Sequence, residues 1–293
     1  MSTAEQIATP PQGAAGRRRP PSDQRWTVLR PSGSERPSDT LATTRHLLGA
    51  SAAREVRSRY KQNVGRGVWM VVQPAAMVLI YGFVFTQIFD ATGEGLPYLS
   101  MAWAGIILWQ FFQHGVQMGM MSVTFEAGTL PKIWFPRVTI PLTPGTAAFA
   151  DLGIGMVLLV VAANVQGVRP SIHMIATPVP VVVLAVWMYA AALVLAPLAV
   201  FLRDITTIVP LILRLGFFAS PVMYSIETIP PEYAWLGDYN PVAVCITAVR
   251  NTMLAHSWPD WSVLATTGMV GMVALVAAFW YFDRVQERLV DAL

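Results

Sequence analysis

Arg59-Tyr-Lys-Gln-Asn-Val-Gly-Arg-Gly-Val-Trp-Met-Val-Val-Gln-Pro74 runs from a basic segment straight into an apolar one, with Gly65 and Gly67 spacing the joint. Upstream, Leu48, Ala52, Val56 and Tyr60 recur at every fourth residue, while Arg54, Arg57 and Lys61 fall on another face. That pattern predicts a helix lying in a membrane interface, its apolar side in the acyl boundary and its cations among lipid phosphates. A surface helix of a soluble domain would not lead into the roughly 20 apolar residues that a membrane span requires. The stretch therefore makes this chain a membrane protein with its N-terminus on the basic, cytoplasmic side.

Composition agrees. The 293 residues are 54% hydrophobic and only 13% charged, about half the charge of a soluble domain. Mean hydropathy is +0.50 and the isoelectric point is near 9.2. Twelve of the twenty Lys and Arg fall in residues 1–66, beside the first span, where anionic lipid rather than nucleic acid is the nearer partner. The lone Cys245 excludes an internal disulfide, and His46, His114, His173 and His256 have no metal-ligand spacing. Residues 1–40, rich in Pro, Ser and Arg, read as a disordered cytoplasmic tail. No apolar run follows Arg17-Arg18-Arg19, so a signal peptide is not expected.

Six segments are long and apolar enough to cross a bilayer: roughly 68–89, 97–120, 139–165, 175–200, 205–224 and 262–282. With the N-terminus inside, seventeen cations lie on cytoplasmic segments, Arg169 and Arg250 lie outside, and Arg214 lies within the fifth span. The positive-inside rule produces that asymmetry, so both ends are expected in the cytoplasm. The expected fold is an all-α integral membrane protein. It has an interface helix over 41–67, then a six-span membrane domain over 68–293 with an outer re-entrant helix pair between spans five and six.

Two connections exceed a turn. The cytoplasmic segment 125–137 mixes Leu130, Ile133, Trp134 and Phe135 with Glu126, Lys132 and Arg137. Aromatics flanked by charge suit docking into a cleft of another protein, and equally suit a membrane-interface loop. The outer segment 225–261 holds Asn240-Pro241, a helix start that joins a side-chain acceptor to a residue with preset φ. Val242, Cys245, Ile246, Val249 and Met253 then trace a helical stripe. Before it, Pro230 to Tyr239 suits a short helix ended by Gly237. Such a pair buries its stripe most simply by dipping back into the outer leaflet.

Chemistry-bearing motifs are missing from the sequence: no G-x-x-x-x-G-K-[ST] loop, nucleophile elbow or zinc motif occurs. Intramembrane serine proteolysis fits six spans, but Ser100, Ser122, Ser220 and Ser225 lack a G-x-S-x-G setting. Charges inside spans draw the eye instead. Asp151 shares a face with Ala147 and Gly155, which points it into the bundle. Arg214 either pairs with Asp151 or meets an anionic substrate group. Gly115-x-x-x-Gly119 fits a helix contact. Tyr81, Phe83, Phe85, Phe217, Phe218, Tyr224, Tyr233, Trp235 and Tyr239 cluster toward the outside, either as an aromatic belt or as the lining of an exit.

Four stretches together resemble one family: Arg59 through Pro74, Pro131-Lys-Ile-Trp-Phe-Pro-Arg137, Phe201-Leu-Arg-Asp-Ile205, and Ser220-Pro-Val-Met-Tyr224 with Asn240-Pro241. In this order, over residues 45–290, they resemble the membrane subunits of ABC-type polysaccharide exporters, the O-antigen, teichoic-acid and galactan permease group. Trp134 stands where that family more often has tyrosine. The resemblance implies a homodimer with a channel between the copies, in the bacterial plasma (inner) membrane. Each copy would dock one ATPase subunit through Glu126, Lys132, Ile133, Trp134, Phe135 and Arg137. ATP and Mg would reside on that partner, leaving this chain with no cofactor and no catalytic residue of its own. An undecaprenyl- or decaprenyl-type lipid-pyrophosphate-linked glycan would enter beside Arg54, Arg57, Arg59 and Lys61, residues that equally suit general binding of anionic lipid. A drug or lipid exporter of the same superfamily is the nearest rival. An integral-membrane enzyme acting on lipid-linked sugars is the rival from another class.

Overall fold

The computed structural model describes residues 48–57, 96–126, 136–226, 230–233 and 235–292, together with Val72, Ala76 and Ile80, which are helical. These lie in one compact unit, Arg36–Leu293; the other unit, Met1–Glu35, falls outside the described residues, as does the expected tail 1–40. Every regular element among the described residues is helical. After the helical segment 48–57 come α1 (Tyr98–Phe125), α2 (Thr139–Val165), a 3-10 turn (Ile172–Ala176), α3 (Pro178–Phe201) and α4 (Ile205–Ala219). A second 3-10 turn (Pro231–Tyr233), α5 (Trp235–Asp238), α6 (Pro241–Met253) and α7 (Trp261–Ala292) complete the described chain.

The helix ends follow from local chemistry. Proline opens α3 and α6, where its missing N–H costs nothing. Asn240 caps α6 as expected, its Oδ1 accepting from Val242 N at 3.0 Å and Ala243 N at 3.4 Å. Asp260 caps α7 the same way. The Ser262 hydroxyl at 2.7 Å, then the Val263 and Ser262 amides, hold its carboxyl below the usual carboxylate range. Gly167, at φ +89°, ends α2. There Val168 N donates to Ala163 O at 2.9 Å and Gly167 N to Asn164 O at 3.0 Å, a Schellman closure that a Cβ would strain.

The long helices alternate in direction. Gln166, just past α2, donates to Ser100 Oγ near the start of α1 at 2.7 Å. Thr177, before α3, meets Thr252 of α6 at 3.0 Å. At the far end Arg137 donates to Gln286 O of α7 at 2.8 Å. One end of the bundle thus carries α6, and the far end carries Arg137, Arg203, Arg284 and Arg288.

Three described helices are long and apolar enough to cross a membrane: Thr139–Val165, Ile172–Phe201 and Trp261–Gln286. The expected second span is present as α1 with 28 residues, but polar side chains on one face keep it out of that group. The fifth span is shorter than its apolar run. α4 stops after 15 residues, because Ser220 is extended (φ −101°, ψ 147°) ahead of Pro221, as a residue before proline prefers. At 1.5 Å per residue it covers about 22 Å, less than the hydrocarbon thickness. Most of the expected first span lies outside the described residues.

Glycines set how closely α1 is embraced. A Cβ on Gly115 would run into Met188 Sδ, and one on Gly119 would sit 2.7 Å from Ala192 Cβ and 2.9 Å from Pro141 O. The Gly115-x-x-x-Gly119 face is therefore the seat of α3 and the first turn of α2. Around it Ile106, Leu108 and Met120 are fully buried, with Leu184, Met188 and Leu193 of α3. Lipid is as apolar as these side chains, so dispersion and close fit, more than release of water, hold such packing. The opposite faces of α2, α4 and α7 expose Val157, Val161, Leu211, Leu215, Val273 and Val276, an apolar surface suited to lipid tails.

Gly119→Leu should separate α1 from α3 and from the carbonyl of Pro141. An overpacking cost of about 1–3 kcal/mol at about 2–4 °C per kcal/mol should be read as a lower midpoint in thermal unfolding of the detergent-solubilised protein. Gly153→Ala, whose added Cβ meets nothing within 4 Å, should not lower that midpoint.

Candidate functional site

Polar residues of α1 at positions 110, 113, 114 and 117 repeat with helical spacing, so Gln110, Gln113, His114 and Gln117 share one face. In the folded chain that face lines a cleft of about 630 Å³ between α1, α2 and α4. Asp151 enters it from α2; Arg214, Phe217 and Phe218 enter from α4; Trp103 and Trp109 complete the α1 side. Asp151 and Arg214, the two intramembrane charges of the sequence, thus line one cavity. Arg214 is exposed within that apolar helix and Asp151 is half-buried.

The aromatic wall is built in detail. Trp109 donates from Nε1 to Gln113 Oε1 at 2.9 Å, fixing both rotamers. Its ring meets Phe217 edge-on at 6.0 Å and Phe112 at 6.1 Å, and Phe217 meets Phe218 at 5.2 Å. Gly216 lets this happen: a Cβ there would approach Trp109 Cη2 to 3.0 Å. On the α2 side Gly155 lies against Ile107. Trp103 Nε1 is buried without a hydrogen-bond partner among the described residues. Amides, an imidazole, one acid and one base among aromatic faces suit a hydroxyl-rich ligand.

The other sequence candidates are spread over the two ends. Arg54 and Arg57 are exposed, while Ala52 is buried and Leu48 packs on the far-end cluster of Ile140, Leu142, Phe282 and Leu289. The amphipathic division of this helix is as the sequence predicts. Arg59 and Lys61 lie outside the described residues. So do Lys132, Ile133, Trp134 and Phe135 of the coupling segment, and Tyr81 and Phe83. Glu126 is half-buried just beyond α1, and Arg137 is tied to α7 through Gln286. Tyr233, Trp235 and Tyr239 are exposed on the turns before α6, apart from the cleft. The Tyr224 hydroxyl donates to Phe218 O at 3.0 Å. Arg250 differs most from expectation. Counted from the sequence as an outer-loop cation, it is 5% exposed and donates to three backbone carbonyls.

Sequence reasoning missed the glutamine and histidine face of α1. Its signal was available as four polar residues at one-turn spacing within a predicted span, where each is expensive unless it faces protein or a cavity.

The chain is similar to known proteins over most of its length. The chain resembles O-antigen export system permease protein RfbA of Myxococcus xanthus, 26% identical over 251 residues, which cover 85% of this chain and 96% of that protein. It resembles a protein of the same name in Klebsiella pneumoniae at 22% over 249 residues, covering 84% and 95%. The family model described as ABC-2 type transporter matches residues 46–254, from the amphipathic segment to the end of α6, and so takes in every helix that builds the cleft. The chain is an integral membrane protein that belongs to the ABC-2 type transporter family.

Proposed function

We propose that this chain is the membrane subunit of an ATP-driven exporter. Its cargo would be a lipid-pyrophosphate-linked polysaccharide of O-antigen, teichoic-acid or cell-wall galactan type, moved from the cytoplasm to the outer face of a bacterial plasma membrane. The observation that carries this reading is the cleft between α1, α2 and α4. Its Gln110, Gln113 and Gln117 amides offer both donors and acceptors to sugar hydroxyls. Its Trp and Phe faces offer apolar surface to the C–H faces of sugar rings. The names of the relatives at 22 and 26% identity point the same way.

In this reading two copies face each other. The partner copy covers polar side chains that lipid would leave unsatisfied. The far end, with Arg137, Arg203, Arg284 and Arg288, is cytoplasmic by the positive-inside rule, and so are both termini. Segment 125–137 receives force from a separate ATPase that carries the nucleotide and Mg. Arg54, Arg57, Arg59 and Lys61 meet the lipid pyrophosphate as it enters. The chain itself transforms no bond. The helix pair before α7 dips into the outer leaflet.

Replacing Gln110, Gln113 and Gln117 together by Leu should lower surface glycan at least about tenfold, the equivalent of one lost hydrogen-bonded contact of about 1.4 kcal/mol. Immunoblotting of surface polysaccharide against permease abundance measures it; unchanged glycan would remove the cleft from the path. Trp134→Ala with Phe135→Ala should weaken co-purification with the ATPase subunit, and undiminished association would discard segment 125–137 as the coupling element. Arg57→Glu should lower export while the purified dimer keeps its elution volume. Normal export in that variant would reject headgroup reception. Sugar turnover by the purified chain alone would replace the exporter reading by an enzymatic one.

A further inference from the structure

Arg250 is a buried cation whose three guanidinium nitrogens each find a different carbonyl. Nε donates to Met101 O at 3.1 Å, Nη1 to Tyr224 O at 3.0 Å and Nη2 to Val222 O at 2.7 Å. None of these acceptors is a carboxylate. A fixed planar fork makes arginine the side chain able to bridge three such points at once. What it bridges is specific. Met101 lies on α1, two residues before Trp103 of the cleft. Val222 and Tyr224 lie in the reversal that follows α4, whose last turn carries Phe217 and Phe218. From that reversal the Tyr224 hydroxyl reaches back to Phe218 O.

Further bonds hold the same reversal. Tyr98 of α1 donates to Met223 O at 2.9 Å, and Asn240 Nδ2 donates to Ser220 Oγ at 2.8 Å. Gly105 gives the reversal room: a Cβ there would collide with Val222 O. The backbone of 220–224 therefore lies flat on α1, clasped from both ends of α6. We infer that Arg250 is a positioning residue for the cleft, setting the separation of its α1 and α4 walls at the α6 end. Trp103 lines the α1 wall near this end, and Phe217, which meets Trp109 at 6.0 Å, lines the α4 wall. The inference rests on the export reading of the cleft and adds to it the residue that fixes its width at the exit.

Arg250→Lys keeps the charge but not the fork, so it holds fewer of the three carbonyls. The test uses the permease and its ATPase in proteoliposomes, with lipid-linked polysaccharide extracted from the cells that express the chain as probe. Arg250→Lys should raise the polysaccharide concentration for half-maximal ATPase stimulation about tenfold and leave basal ATPase activity unchanged. Tyr98→Phe, which removes one tie to the same reversal, should shift it in the same direction by less. Cys245, the single cysteine of the sequence and fully buried on α6, reports packing. It should stay unreactive to a maleimide in both variants. A stimulated wild type with an unshifted Arg250→Lys would overturn the inference alone. Cys245 labelling together with loss of basal activity would overturn it too, by showing that Arg250 merely holds the fold. A wild type that polysaccharide does not stimulate would overturn the export reading and this inference with it.

Discussion

Inside a bilayer an unpartnered polar group costs about 2–7 kcal/mol, because hydrocarbon offers neither donor nor acceptor. α1 carries Gln110, Gln113, His114 and Gln117 along one face, and α2 and α4 add Asp151 and Arg214. These side chains cannot be turned to lipid. They compel the three helices to gather around them, and the arrangement of the rest of the bundle follows. The apolar faces of α2, α4 and α7 point away, while α3 takes the side of α1 opposite the amides, where Gly115 and Gly119 admit it.

The two ends of the bundle are held by different kinds of contact. At the far end one apolar cluster joins the last turns of α1, the start of α2, the middle of α3 and the end of α7, with Leu48 of the amphipathic helix packed on it. Arg137, the last residue of segment 125–137, is bonded to Gln286 of that same α7 end. A displacement applied to the segment would reach α2 and α7 directly, through packed side chains rather than through a loop. At the α6 end the ties are polar and made to backbone. Arg250, Tyr98 and Asn240 hold the reversal 220–224 by its carbonyls and by Ser220, and so fix where that reversal lies on α1.

Some of this was legible in the residues. The amphipathic split of 48–57 needed only one helix's periodicity: Leu48, Ala52 and Val56 on one side, Arg54 and Arg57 on the other. Asn240-Pro241 specified its own helix start, since the cap acceptor and the amides it bonds lie within three residues. The stripe Val242, Cys245, Ile246, Val249 and Met253 is buried throughout, as its spacing required. The length of α4 was overread because hydropathy continues through Val222 and Met223, whereas the backbone obeys Pro221.

Sequence by itself determined what each segment does with its own backbone and with lipid: which runs are helical, where proline and glycine end them, and which faces are apolar. Those properties depend on neighbours a few residues away. Tertiary structure alone decided that Arg250 is a buried clasp and not an outer-loop cation, and that Asp151 and Arg214 share a cavity. It also decided that the amides of α1 face aromatics of α4. Each of these depends on residues tens to about 150 positions apart in the chain (Arg250 and Met101 are 149 apart). Periodicity tells which face of a helix is polar; only packing tells what that face meets.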